Sequence, residues 1–338
     1  MRLVNHSGQP AELMQGEIVP GQMHGSVLTR LRCRLGPDSS LSLATGDDAL
    51  LDLRRDRIED EYGVIEPDIP YPRTATDVIV LADARCPGGP KVATKVGLRV
   101  GPYEQELLVI GDRVWERSLG AVTPSSPVPF ELMPLTWAHA FGGPAQGPYG
   151  PVQHPANPLG KGYALDAGAA VGQPLPNIED PQAPIRAWND RPDPVGFGPY
   201  PFNWLLRQQQ CVEIVPGPER EARLLMYPER GMFDRAHPRL SGQQLRPGDA
   251  VIVTGTSFAP RIAFALPPCP FELEIRIGGK TWVRELELEE LLLDLRRGLV
   301  ELSYRKLLKY PWVPHQRREV VLRIREPEAT SHQAPIQA

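Results

Sequence analysis

Seven histidines, His6, His24, His139, His154, His237, His315 and His332, are the side chains best suited to moving a proton or holding a metal near neutral pH. No two stand three or four residues apart, so no helix turn presents a pair of imidazoles as ligands. His139, in TWAHAFGG between Trp137 and Phe141 and just before Gly142-Gly143, is the best placed for acid-base work. A base needs a nucleophile or carboxylate partner, and the sequence identifies none, so a hydrogen-bonded structural histidine is expected. Glu179-Asp180 in LPNIEDP, with Asp190 and Asp193 in WNDRPDP, could flank a sugar as a glycosidase pair does. Turn chemistry is the cheaper reading, since Asn and Asp beside Pro cap turns through local backbone hydrogen bonds. Lys161 in PLGKG lacks the upstream glycine spacing and the following Ser or Thr of a phosphate loop and is expected to be a turn lysine. GxSxG, HExxH and GxGxxG are missing as well. Cys33, Cys86, Cys211 and Cys269 are scattered without a CxxC and read as reduced structural thiols. The expectation is a non-catalytic protein without cofactor or metal.

The charge balance narrows the partners. Of 338 residues, 37 are Lys or Arg and 41 are Asp or Glu, a net charge of -4, which is not the basic footprint of a nucleic-acid binder. No run approaches the roughly 18 apolar residues that cross a bilayer, and the amino terminus lacks the apolar core of a secretion signal. The expected setting is the cytoplasm, with neither nucleic acid nor membrane as partner.

The elements that must position these residues read as strands. Gly and Pro together make 31 + 39 = 70 residues, more than helix bundles tolerate. In 91–100, Val92, Val96, Leu98 and Val100 share one parity while Lys95 and Arg99 hold the other, the period of a half-buried strand. Gly101-Pro102 breaks it and 104–110 continues a meander; 26–35 and 78–82 are further strands, with Val27, Thr29, Leu31 and Cys33 on one face of the former. Residues 50–61 fit a charged edge strand and a short helix equally. Later, 222–226, 250–254, 262–266, 271–277 and 319–325 are strand candidates, and Gly278-Gly279 marks a hairpin.

Between these zones, 17 of the 39 prolines fall in 124–201, which rules out regular sheet or long helix there. This zone, continued to 204, holds Phe130, Leu132, Met133, Leu135, Trp137, Phe141, Tyr149, Leu159, Tyr163, Trp188, Phe197, Tyr200, Phe202 and Trp204. Leaving that surface in water costs about 25 cal/mol per Å², so an ordered, packed middle is expected rather than a linker. One conflict stays open at 285–304: Leu288, Leu291, Leu292 and Leu295 follow helical spacing, yet a hairpin turning at 296–298 fits as well. The fold class is therefore mainly β: antiparallel sheets in two β-rich lobes, 1–120 and 206–325, joined by a Pro/Gly/aromatic-rich middle, 121–205, with few short helices. A polar tail, 326–338, is expected to be disordered.

The succession YPRTATDVIVLADARCPGGP, KVGLRV, VIGDRVWE, PFELMPLTWAHAFGG, NPLGKGY, LPNIEDP, FGPYP and FDRAHPRLSGQQLRPGDAVIVTG resembles a bacterial domain-of-unknown-function family of type VI secretion effector adaptors. Members are encoded beside PAAR-repeat and Rhs-type toxins. The resemblance covers about 3–325 and implies a chaperone that binds a protein toxin, or its PAAR region, and helps mount it on the spike protein. It also implies strand, turn and strand at 285–304. Its motif positions, Trp115, Trp137, His139, Phe141, Gly142, Gly143, Asn157, Asn177, Asp180 and Phe197, are expected to be mainly structural. Two other functions fit the residues less economically: a carbohydrate or ester hydrolase with its site in the aromatic middle, and a structural part of a phage-tail-like assembly.

Overall fold

Period-2 alternation and glycine-marked turns become antiparallel sheets in the computed structural model, which is mainly β. It describes residues 1–19, 22–49, 53, 58–118, 120–209, 211–214, 225–228, 230–311, 313 and 315–325. Among these, the α-helices are two single turns, Ala167–Ala170 and Leu205–Gln208. The proposed tail at 326–338, most of 50–57, and 222–224 lie outside the described residues.

Three sheets carry the fold, and each combines strands from before and after the middle segment. One orders Ala11–Val19, Gln22–Leu35, Leu299–Pro311, Glu287–Asp294 and Asp77–Leu81, with Leu41–Leu43 beside Gln22–Leu35. A second orders Ile178–Glu179, Tyr103–Ile110, Ala93–Val100, Ala250–Thr254 and Arg261–Ala265. The third places Arg2–Asn5 parallel to Arg318–Ile324, followed by Phe271–Ile277 and the edge strand Lys280–Glu285. Val27, Val78, Leu98, Val253, Leu273 and Leu322 join one continuous core from all three.

The open conflict resolves as a hairpin. Glu287–Asp294 pairs antiparallel with Leu299–Pro311, and Gly298 turns the chain at φ +64°. The helical spacing is a by-product of burial: the strand's last six residues, 289–294, are all buried, so apolar residues need not alternate. Phe271–Ile277 and Lys280–Glu285 likewise pair through Gly278 and Gly279, both at positive φ.

The middle segment is irregular and packed. Trp137, Phe197, Tyr200 and Trp204 are buried in the main core, while Trp115 and Phe141 join Leu175 and Ile185 in a smaller one. Trp137 stacks on Tyr200 with ring centroids 4.6 Å apart and lies nearly parallel to the His237 ring at 6.1 Å.

His237 is held neutral in this stack. Its Nδ1 accepts the Arg239 backbone N–H at 3.1 Å, so Nε2 carries the proton and donates to the Pro194 carbonyl at 3.1 Å. Burial is the main reason its pKa falls to about 4, and Arg239 adds to the effect. Between pH 4 and 6.5 the unfolded chain then binds more protons at this site than the folded one, so the contribution to stability is complete above pH 6.5 and shrinks as pH falls toward 4. A melting series should show wild type losing more stability from pH 7.5 to 5 than His237→Gln does. Equal losses would mean that His237 titrates normally.

Candidate functional site

The chain from 66 to 73 reads EPDIPYPR, and its prolines at 67, 70 and 72 fix the backbone angle at every second or third position. Asp68, Tyr71 and Arg73 are thereby presented from an extended segment. Tyr71 stacks on Phe233, with centroids 5.0 Å apart and planes 12° from parallel. Phe202, more exposed, closes the third side: its backbone N–H donates to the Glu66 carboxylate, and the Arg207 guanidinium covers its ring at 5.0 Å. These rings, with Pro67 and Ile69, wall an open slot of about 220 Å³ whose floor is formed by Asp68, Arg73, Arg207, Arg235 and Arg305.

Below the floor lies a charge cluster that the sequence did not announce. Arg30, Arg73, Arg235 and Arg305 meet Asp68, Asp77, Glu289 and Glu290, all of them buried. Four cations against four anions leave no net charge. Arg73 is the hub. Its Nη2 lies 2.7 Å from Glu290 and 3.5 Å from Asp68, its Nε 3.1 Å from Asp77, and its Nη1 3.2 Å from Glu289. Arg305 pairs with Glu289 and donates to Ser26 at 2.6 Å. Arg235 approaches Asp68 at 3.3 Å, and its backbone N–H donates to Asp77 at 2.6 Å. Arg30 pairs with Asp68 and donates to Ser303 at 2.9 Å. At the rim, Arg207 holds Glu66 at 3.3 Å.

The fold supplies two devices for this cluster. A register shift between Leu288 and Glu290 is a β-bulge, which turns the consecutive Glu289 and Glu290 toward the same set of arginines. Arg30 sits on the face of Gln22–Leu35 opposite Val27 and Thr29, yet that face is buried too. The electrostatics follow from pairing. Burial by itself would raise the Glu289 carboxyl, but Arg305 and Arg73 outweigh it and hold the group below its ordinary range. Asp77 goes the other way: burial, with Asp234 adding to it, exceeds the pull of Arg73 and lifts the carboxyl to about 7. Burial opposes the charge on Arg73, yet Glu290, Glu289 and Asp77 keep it firmly protonated.

The motif residues singled out in the sequence lie elsewhere, and none of the ten lines the slot. Asn157 and the two glycines form one knot. Asn157 donates to the carbonyls of Trp137 at 2.8 Å and Phe141 at 3.0 Å. Gly143 sits at φ +86°, where a Cβ would stand 1.9 Å from the Gly160 oxygen, and Gly142 is pressed against Asn157 in the same way. Asn177 donates to the Ile110 carbonyl at 2.9 Å and to Asp112 at 3.0 Å. Trp115, Trp137, Phe141 and Phe197 are buried core residues. His139 meets Thr136 Oγ1 at 2.8 Å; burial lowers its pKa, and nearby Lys161 adds to the fall.

The acidic pairs separate by role. Asp190 accepts the backbone N–H groups of Arg186 at 2.8 Å and Ala187 at 2.9 Å, the turn role read from sequence. Glu179 departs from that reading: it is buried, paired with Arg113, and accepts from the Ile185 N–H at 2.9 Å. Burial would raise the Asp180 carboxyl, but the Gln182 N–H and Arg239 outweigh it and hold it low. Cys33, Cys86 and Cys269 are free thiols. Among the described residues no group of three His, Cys, Asp or Glu side chains is placed to hold a metal, and no helix is long and apolar enough to cross a membrane.

Two stretches quoted for the resemblance, YPRTATD and FDRAHPRL, contribute Arg73, Asp77, Phe233 and Arg235 to the slot and cluster. The signal available in sequence was a pair of arginines beside aromatics and prolines, with Arg73 four residues before Asp77. No curated protein and no solved structure matches the chain. The profile of DUF2169, described as an uncharacterized protein conserved in bacteria, matches residues 20–305, and the chain belongs to that family.

Proposed function

We propose that this protein is a non-catalytic adaptor, acting in the cytoplasm, that binds a type VI secretion effector or its PAAR region and helps load it on the secretion spike. The observation that carries the reading is the slot walled by Tyr71, Phe202 and Phe233. Its carboxylates, Glu66 and Asp68, are engaged by arginines, so the slot offers a place for an apolar side chain rather than a poised acid or base. A second feature supports the same reading. The edge strand Lys280–Glu285 is exposed at every residue, Trp282 and Val283 included, and offers backbone groups for strand addition.

Coexpression with the toxin encoded beside it should yield a copurifying complex and raise the toxin's soluble yield. If both effects are missing, the adaptor reading fails.

A further inference from the structure

A second cavity of about 440 Å³ adjoins the aromatic slot, and the two share Arg73 and Arg305 as lining. The characters of the two sides differ. Three further cations line the second cavity, Arg230, Lys306 and Lys309, against one carboxylate outside the buried cluster, Glu287. Lys306 is engaged by Glu287 at 2.7 Å. Arg230 and Lys309 are exposed and carry no ion pair among the described residues. Arg73 and Arg305 are saturated by the buried carboxylates, so the available positive charge of the cleft is that of Arg230 and Lys309.

We infer that slot and cleft form one groove that receives an acidic peptide segment of the protein partner, with an aromatic or large aliphatic side chain in the slot and neighbouring carboxylates against Arg230 and Lys309. This rests on the adaptor reading and adds the chemistry of what is bound. Charge complementarity selects the occupant. Two available cations beside an apolar slot suit a short acidic peptide, whereas a nucleic-acid strand calls for a longer basic track than a chain of net charge -4 provides here.

The test is selection of a phage-displayed library of random 12-residue peptides on the full-length protein, followed by synthesis of the most enriched one with a fluorescent label. Enriched peptides should hold an aromatic or Leu together with two or more Asp or Glu. Binding should weaken at least tenfold in the Arg230→Glu/Lys309→Glu double variant and in Phe202→Ala, and weaken as salt is raised. All three replaced side chains are exposed, so thermal melts of the variants should match wild type. Enrichment without acidic bias, no enrichment, indifference to charge reversal, or equal binding of a 12-nucleotide oligothymidylate would each overturn the groove assignment. Failure here is distinguishable from failure of the adaptor reading. If the charge-reversed variant still copurifies the neighbouring toxin, the groove is wrong and the adaptor stands; if wild type copurifies no toxin, the adaptor reading itself has failed.

Discussion

Arg73→Met is expected to melt on the order of 10 °C below wild type, or to yield no soluble protein at all. Four carboxylates touch this one guanidinium, and each is buried. Methionine fills much of the volume but removes the charge, so Asp68, Asp77, Glu289 and Glu290 would face three arginines instead of four. Breaking a buried pair this way costs about 3–5 kcal/mol, against a typical net stability of about 5–15 kcal/mol. An exposed pair provides the control. Lys95 and Glu106 lie 2.7 Å apart with side chains 60% and 46% exposed, and Lys95→Met should cost less than about 1 kcal/mol.

The sign of the pH dependence makes the Arg73 prediction specific. Burial already lifts the Asp77 carboxyl above its ordinary range in the folded state, and removing Arg73 takes away the strongest group opposing that. A carboxyl whose folded pKa lies above its unfolded value stabilises the fold as pH falls. The gap between variant and wild type should therefore narrow between pH 7.5 and 5.5. A melting temperature within 2 °C of wild type at pH 7.5, or a gap that widens on acidification, would show that the carboxylates are not held as described.

What the sequence made legible, and what it hid, divides along the range of the interactions. Ala93–Val100 alternates because one face meets water, and that local fact is written in Lys95 and Arg99. Gly278-Gly279 marks its hairpin for an equally local reason, the positive φ of both residues. The hairpin at Glu287–Asp294 and Leu299–Pro311 is set by its neighbours: it sits between Gln22–Leu35 and Asp77–Leu81, more than 200 residues away in the chain. Periodicity within the segment could not report those partners. The arginine cluster was hidden for a related reason. Arg30 in a strand or Arg73 beside prolines reads as a solvated charge until its carboxylates are brought up, Asp68 against Arg30 and Glu289 and Glu290 against Arg73. Motif positions were visible because they are dense in Gly, Asn and aromatic residues, the types that turns and a packed irregular segment call for. The slot is assembled from 66–73, 202–207, 233–235 and Arg305, four parts of the chain joined only in the folded state.

Trp137→Ala is the second change with a large expected effect, about 3–5 kcal/mol, the cost of opening a cavity of indole size in a packed core. The site has little room to collapse. Gly196 and Gly198 lie flat against the indole, where a Cβ on either would stand 3.1 or 3.2 Å from it, and Tyr200 and Trp204 pack on its other sides at 4.6 and 5.8 Å between centroids. The Pro199 carbonyl would also lose the Nε1–H that donates to it at 3.0 Å, leaving a buried acceptor unmet. Trp137→Phe keeps most of the stacking and should lose visibly less. Phe141 belongs to the separate small core, so the two losses should add, and the Trp137→Ala/Phe141→Ala pair should unfold at markedly lower temperature than either single variant. Denaturant titration measures these losses, and copurification of the proposed protein partner separates the roles. A Trp137→Ala protein that folds as stably as wild type but captures no partner would place the indole at the binding surface instead of in the core.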